Sequence, residues 1–143
     1  MRNYVAGFMF DNGGSAVALV EKKKFPPGVD WSKTPLNAIG GKIDFPESPA
    51  EAMIREFNEE AGVETEPLDW DQFLTLSTSE WQVFFFRCFN TAYLHYARTT
   101  EEEAIWKCQI GSPELLGVVP NLKWILPMAL DKSIKFADII EKE

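Results

Sequence analysis

Three glutamates close to a glycine are the residues of this chain with the clearest capacity for chemistry. Glu56, Glu59 and Glu60 stand three and four residues apart, and on a helix this spacing crowds their carboxylates onto one face. Like charges so close together repel, so a chain that keeps them is expected to neutralise them with a cation. Carboxylate oxygens suit a hard divalent ion such as Mg²⁺. The spacing therefore predicts a metal site.

The helix that would carry these carboxylates has clear start and stop signals. Ser48 and Glu51 have the form of a capping box, with Pro49 at the first helical position. Gly62 supplies a left-handed stop. The alternative is an ordinary amphipathic helix with a solvated acidic face. Three acids in the last two turns oppose the helix dipole, however, and a purely structural helix would gain nothing from them.

The stretch of residues 41–63 also resembles a known sequence motif. The residues that carry the resemblance are, in order, Gly41, Glu47, Arg55, Glu56, Phe57, Glu59, Glu60, Gly62 and Val63. They match the Nudix box at every fixed position over 23 residues. The chain thus resembles the Nudix hydrolase family.

This resemblance implies a Mg²⁺-dependent hydrolase of a nucleoside diphosphate linked to another moiety, with Mn²⁺ as a substitute ion. The carboxylates implied as metal ligands are those of Glu56, Glu59 and Glu60. The Gly40 carbonyl would add a ligand, and Arg55 with Glu47 would orient the catalytic face through charge-assisted hydrogen bonds. Metal ions would neutralise the pyrophosphate and activate a water, whose proton one carboxylate would take. Which carboxylate does so stays open.

Motifs outside the box bear on the substrate. Subfamilies that cleave ADP-ribose, NADH or coenzyme A carry extra motifs, and this chain has Thr78 where a proline would stand about fifteen residues past the box. This favours a nucleoside triphosphate, oxidised and non-standard ones included, cleaved to the monophosphate and pyrophosphate. Two alternatives stay open: a pyrophosphatase for ADP-ribose or a dinucleoside polyphosphate, and a non-catalytic nucleotide-sensing module. The intact glutamate set disfavours the sensor.

Acidic and basic residues near the box are further candidates. Glu102 and Glu103 precede a predicted strand, where similar hydrolases often supply one more acidic metal ligand. The alternative is a solvated turn. Lys42, beside Gly41, is a candidate for a phosphate contact or for an exposed strand lysine.

Several residues are candidates for contacting the base of a nucleotide. Trp31, Trp81 and Trp124 either stack on a base, since every base has a π-face, or pack in the core. Asn121 stands at a place resembling where 8-oxo-dGTP diphosphatases carry a base-reading asparagine, although a helix cap would equally account for it. His95 has no partner at ligand spacing and is expected to be incidental.

Composition limits the class of protein. The 143 residues, 45% of them hydrophobic, fit one globular domain spanning residues 1–143. A net charge of −8 argues against long nucleic acids but not against a small nucleotide bridged by metal ions. Cys88 and Cys108 show no metal or disulfide spacing, so we expect buried thiols in a reducing cytoplasm. No run approaches membrane-spanning length. The apolar segment 81–89 is either core or the edge of a homodimer.

Turn signals and apolar runs predict the order of the elements. Strands are predicted at residues 4–10, 16–21, 36–39, 73–77, 81–89 and 104–110, with a loop at 25–35 and a helical turn at 112–116. A helix is predicted from Leu122, capped by Asn121 and kinked or interrupted by Pro127. Ser133 is predicted to cap a last helix. The order β-β-β-α-β-β-β-α indicates an α/β/α sandwich with a mixed central sheet, which the resemblance also implies.

Overall fold

The computed structural model describes residues 1–22 and 36–142 of the chain. The strands in this part are β1 (Arg2–Phe10), β2 (Ala16–Lys22), β3 (Ile39–Lys42), β4 (Asp71–Ser77), β5 (Trp81–Phe89), β6 (Glu103–Gln109) and β7 (Ala137–Ile140). The helices are α1 (Pro49–Ala61), α2 (Thr91–Tyr96) and α3 (Leu122–Leu130), with 3₁₀ turns at Pro67–Asp69 and Pro113–Gly117. The predicted loop at 25–35, with Trp31, lies outside the described residues.

The strands form one mixed sheet in the order β6-β2-β1-β5-β4-β7, with β3 paired to β1. β1 runs parallel to β5, and β4 runs parallel to β7, whereas the other pairs are antiparallel. β1 pairs with β3 along its first half, from Tyr4 to Gly7, and with β2 only near its end. The first half of β1 therefore positions β3 and its two glycines.

Alternate residues of β1 face two apolar clusters on opposite sides of the sheet. Val5 and Met9 pack in the cluster that contains α1 and Leu94 of α2. Phe8 and Phe10 pack in the cluster that contains the buried face of α3. Helices thus cover both faces of the mixed sheet, which confirms the predicted α/β/α sandwich.

Most predicted strands are found, with small differences at their ends. β5 has the predicted bounds, and β1, β2, β4 and β6 differ from prediction by one or two residues at an end. β3 begins at Ile39 instead of residue 36 and includes Gly40 and Gly41, because these glycines pair with β1. The short helix α2 was not predicted. Its start is capped by Asn90, whose Oδ1 accepts the Tyr93 N–H at 2.9 Å.

The prediction of a last helix capped by Ser133 is wrong. Residues 137–140 instead form β7, which pairs with the otherwise open edge of β4. Along β7, half-buried and exposed residues alternate, which is the period of a strand. Ser133 closes a turn with Asp131, whose Oδ1 accepts the Ser133 N–H at 3.0 Å.

α3 departs from prediction in two details. Asn121 precedes the helix, as predicted, but its side chain makes no capping hydrogen bond and its backbone is already helical. The helix is not interrupted at Pro127, since it continues to Leu130. A proline there removes a single intrahelical hydrogen bond near the helix end.

The two cysteines are buried and form no disulfide, as predicted. Burial raises the pKa of the Cys88 thiol to about 12 and that of Cys108 to about 11, so both stay protonated at neutral pH. Separately, none of the helices in residues 1–22 and 36–142 is long and apolar enough to cross a membrane.

Candidate active site

The acidic helix α1 begins and ends where its sequence signals predict. The Ser48 hydroxyl accepts the Glu51 N–H at 3.1 Å, and the Glu51 carboxylate accepts the Ser48 N–H at 3.0 Å. At the other end Gly62 has a φ of 74° and donates its N–H to the Asn58 carbonyl. The capping box and the left-handed stop fix the ends of the helix that carries the three carboxylates.

Arg55 lies at the centre of the carboxylates. It donates to both oxygens of Glu47, at 2.7 and 2.9 Å, so the predicted supporting pair is formed. Its Nη1 donates to Glu56 at 2.9 Å and to Glu59 at 3.3 Å. Asp44 lies 3.4 Å from its Nη2. One guanidinium thus offsets much of the repulsion among four acids.

These contacts shift the acidities of the groups involved. The hydrogen bonds from Arg55 lower the pKa of Glu47, and the same bonds raise the pKa of Arg55. The side chain of Glu56 is only 12% exposed, and its burial raises its pKa against the opposing effect of Arg55. Desolvation is therefore the dominant influence on the pKa of Glu56.

Gly40 brings the backbone of β3 against Glu60. The Gly40 N–H donates to Glu60 Oε2 at 3.0 Å, and Glu60 is buried. Because Ile43 donates its N–H to Asn3, the register makes Gly40 and Ala6 a non-hydrogen-bonded pair. The carbonyl of Gly40 consequently points away from β1, to the same side as its N–H. It lies at the edge that Glu60 occupies.

Both glycines are required by close packing. A Cβ at Gly40 would lie 2.0 Å from the backbone oxygen of Val5. A Cβ at Gly41 would lie 2.5 Å from Glu56 Oε1. Glycine at these positions therefore allows β3 to pair with β1 and allows the Glu56 carboxylate to lie against the strand.

The donor chemistry fits a hard divalent cation, although the carboxylates are not gathered around one point. Among the described residues, no three His, Cys, Asp or Glu side chains are placed to hold a metal ion. Glu56 and Glu59 turn to Arg55, and Glu60 turns to the Gly40 N–H. Mg²⁺ usually takes one or two protein carboxylates together with substrate phosphates and water. Carboxylate and carbonyl oxygens of this kind are suitable ligands for it.

A cavity of about 540 Å³ opens beside Gly40 and Glu60. Its size is in the range of small-molecule sites. The predicted site residues that line it are Gly40, Lys42, Glu60, Glu103 and Asn121. Val83 and Phe85 of β5 contribute apolar wall, and Lys42 is its one cationic residue within the described part of the chain. The cavity thus brings together one cation, two acids and two amides, those of Asn37 and Asn121.

Other candidate residues lie elsewhere. Trp81 packs half-buried against the cluster under α3, and Trp124 on α3 is 37% exposed. Glu102 is exposed beside the cavity-lining Glu103. His95 is exposed on α2. None of these four residues lines the cavity described above.

Sequence reasoning missed the segment that closes the end of α1. The Thr100 hydroxyl donates to the carbonyls of Glu59 and Glu60, at 3.0 and 3.1 Å. Arg98 Nη1 donates to the Gly62 carbonyl at 2.9 Å. These partners are about forty residues apart in the chain. No local pattern could have indicated them.

Comparisons with known proteins agree with this architecture. A MutT protein from Bacillus halodurans has 18% identity and a TM-score of 0.73, with 99% of this chain and 91% of that chain covered. A MutT structure described for Aliivibrio salmonicida and Vibrio cholerae has 20% identity and a TM-score of 0.70, covering 90% and 95%. An ADP-ribose pyrophosphatase from Streptococcus suis has 15% identity and a TM-score of 0.61, covering 98% of each chain. At these identities the likeness shows the fold alone.

The family comparison covers nearly the whole chain. No curated protein matches the sequence. The model of the NUDIX domain family, however, matches residues 1–140. The chain therefore belongs to the Nudix hydrolase family.

Proposed function

We propose that the protein is a Mg²⁺-dependent hydrolase that cleaves a nucleoside triphosphate, standard, oxidised or otherwise non-standard, to the monophosphate and pyrophosphate. The observation that carries the proposal is the hydrogen bond between Gly40 and Glu60, which both line a cavity large enough for a nucleotide. Arg55 donates hydrogen bonds to the carboxylates of Glu56 and Glu59, which stand on the same helix as Glu60. Of the three carboxylates on α1, that of Glu60 thus lies at the cavity and the other two are held by Arg55.

The residues proposed to hold the metal are Glu56, Glu59, Glu60, Glu103 and the carbonyl of Gly40, with Mn²⁺ as a substitute ion. When bound, Mg²⁺ supplies neutralisation of pyrophosphate oxygens and activation of a water. Arg55, itself oriented by Glu47, holds Glu56 and Glu59 on the catalytic face. One of the α1 carboxylates takes the proton of the attacking water.

The cavity walls are proposed to bind the two ends of the nucleotide. Lys42 offers an ammonium group beside Gly41, where a phosphate would approach the backbone. Asn121 offers an amide that both donates and accepts hydrogen bonds, and it is not occupied in capping α3. Val83 and Phe85 give apolar surface for a base. A cavity lined in this way favours a small substrate that is charged at one end and carries a flat base with polar edges at the other.

The test is a panel of nucleoside triphosphates, ADP-ribose and dinucleoside polyphosphates, incubated with Mg²⁺ and analysed for products. We expect a triphosphate to give the monophosphate and pyrophosphate, with no turnover when EDTA is present. Preferred cleavage of ADP-ribose or of a dinucleoside polyphosphate would replace the substrate assignment but keep the chemistry. Tight binding of one nucleotide without hydrolysis of any nucleotide would contradict the proposal that the protein is an enzyme and would favour a nucleotide-sensing module.

A further inference from the structure

The end of α1 is closed by a short segment that precedes β6, here called the clamp, residues 98–100. The Thr100 hydroxyl is shared between the carbonyls of Glu59 and Glu60. The Arg98 N–H donates to the Ala61 carbonyl at 2.9 Å, and its guanidinium donates to the Gly62 carbonyl. The last carbonyls of a helix lack partners within the helix, so a neighbouring segment must supply them. The clamp supplies donors to four consecutive residues.

Thr100 binds the backbone carbonyls of Glu59 and Glu60, whose side chains are proposed to hold the metal. Glu59 and Glu60 are both proposed metal ligands. Their carboxylates lie near the C-terminus of α1, where the helix dipole makes negative charge unfavourable. The Thr100 hydroxyl stabilises that turn from outside the helix. Fixing the backbone of a turn fixes the direction in which its side chains leave the helix.

Thr100 also belongs to the loop that leads into β6, whose first residue, Glu103, is the acidic residue proposed outside the box. Its N–H donates to the carbonyl of Glu103 at 3.1 Å, and its hydroxyl accepts the N–H of Glu102 at 3.2 Å. One hydroxyl can donate one proton and accept others, so both roles are compatible. Glu60 and Glu103 line the same cavity. Thr100 therefore connects α1 to the segment that leads to Glu103: its hydroxyl bonds the α1 carbonyls and the Glu102 N–H, and its backbone N–H bonds the Glu103 carbonyl.

We propose that Thr100 is a positioning residue that sets the spacing between the carboxylates of α1 and Glu103, and through it the affinity for a divalent cation. The inference rests on the proposed function. Side chains that orient metal ligands typically affect metal affinity by about 10- to 100-fold when removed. A residue of purely structural importance would change stability without changing metal affinity in the folded protein.

The experiment measures Mn²⁺ binding to the metal-free protein by electron paramagnetic resonance, without nucleotide. Thr100→Val removes the hydroxyl at nearly constant shape, and Thr100→Ser retains it. Thr91→Val is the matched control, because the Thr91 hydroxyl also accepts a backbone N–H, that of Asn12 at 2.9 Å, which belongs to the turn after β1 and not to α1. Melting temperatures, kcat and KM are recorded for all of them.

We expect Thr100→Val to weaken Mn²⁺ binding by about 10- to 100-fold and to lower kcat more than it raises KM. Thr100→Ser, which keeps the hydroxyl, should retain the Mn²⁺ binding and the kcat of the unsubstituted protein. Thr91→Val should leave Mn²⁺ binding unchanged. If Thr100→Val does not fold, Thr100→Cys, with its weak S–H donor, takes its place and should also bind Mn²⁺ more weakly.

Three other results would overturn the inference. Normal Mn²⁺ binding by a folded Thr100→Val or Thr100→Cys, beside normal binding by the unsubstituted protein, would overturn the role of Thr100 alone. Equal weakening by Thr100→Ser would show that the hydroxyl is not responsible, with the same consequence. Absence of Mn²⁺ binding by the unsubstituted protein would overturn the proposed function together with the inference.

Discussion

The guanidinium of Arg55 and the carboxylate of Glu47 form a two-pronged ion pair, with Nε 2.7 Å from Oε2 and Nη2 2.9 Å from Oε1. Glu47 lies in the loop after β3 and Arg55 lies in the middle of α1, so the pair ties the loop to the helix. The remaining nitrogen, Nη1, reaches Glu56 and Glu59. The orientation that Glu47 gives to Arg55 therefore determines where two proposed metal ligands lie.

Replacing Arg55 by lysine should test this dependence. A lysine ammonium keeps the charge but cannot reproduce the planar fork that holds Glu47. We expect Arg55→Lys to fold and to lose about 10- to 100-fold in kcat, measured with saturating Mg²⁺. Glu47→Gln should lose a similar factor, and the double variant should lose little more, because both changes release the same side chain. Full activity of Arg55→Lys would contradict the orienting role.

Gly40 and Gly41 should respond to alanine in different ways. At Gly41 the added Cβ meets the flexible end of Glu56, so Gly41→Ala should fold but displace that carboxylate. We expect a loss of about 100-fold in turnover, the order of effect that a small misplacement produces. At Gly40 the Cβ meets the backbone of Val5, so Gly40→Ala should lower the free energy of unfolding by about 1–3 kcal/mol.

The control for these glycine variants is Gly13→Ala, since an added Cβ there meets no atom within 4 Å. Gly13 also does not have the positive φ that favours glycine. Thermal melts and turnover together separate the three variants. A Gly41→Ala protein as active as Gly13→Ala would show that the position of Glu56 against β3 is unimportant.

The turn between β1 and β2 should make the free energy of unfolding depend on pH. The Asp11 carboxylate accepts the hydroxyl and N–H of Ser15 and the N–H of Ala16, and the Ser15 bonds lower its pKa below 3.8. A carboxyl with a lowered pKa stabilises the folded state above its unfolded pKa, and this stabilisation is lost as pH falls through the folded value. Asp11→Asn should therefore be less stable at neutral pH.

Urea unfolding of the unsubstituted protein and of Asp11→Asn, from neutral pH to below 3.8, measures this linkage. The difference in the free energy of unfolding should be constant near neutrality. It should shrink as the pH falls below 3.8, because the carboxyl is then protonated first in the unfolded state and, at still lower pH, in the folded state as well. A difference that does not change with pH would contradict the assignment.

Local signals predicted much of the fold and of the site because their causes are local. Ser48, Glu51 and Gly62 fix the ends of α1 through contacts within a few residues. The fork between Arg55 and Glu47, eight residues apart, is what the resemblance to the box implies. In such cases both partners of the interaction lie within a short stretch of the chain.

Tertiary contacts decided what the sequence could not predict. A last helix is predicted beyond Ser133, yet the open edge of β4 offers residues 137–140 backbone partners. Arg87 on β5, only 4% exposed in the fold, donates to the carbonyls of Asp131 and Ile134 and so fixes the turn before β7. These contacts join residues more than forty positions apart. The contacts of Thr100 with α1 were missed for the same reason.

The measurement that tests the central claim most directly is the Mg²⁺-dependent turnover, on the best substrate of the panel, of Glu59→Gln and Glu60→Gln. Glu64→Gln is the matched control, because Glu64 lies just past α1 and is exposed. We predict that both Glu59→Gln and Glu60→Gln abolish turnover while their far-ultraviolet circular dichroism stays that of the folded protein, and that Glu64→Gln keeps full turnover. Unchanged turnover in both box variants would show that α1 does not carry the metal-binding face.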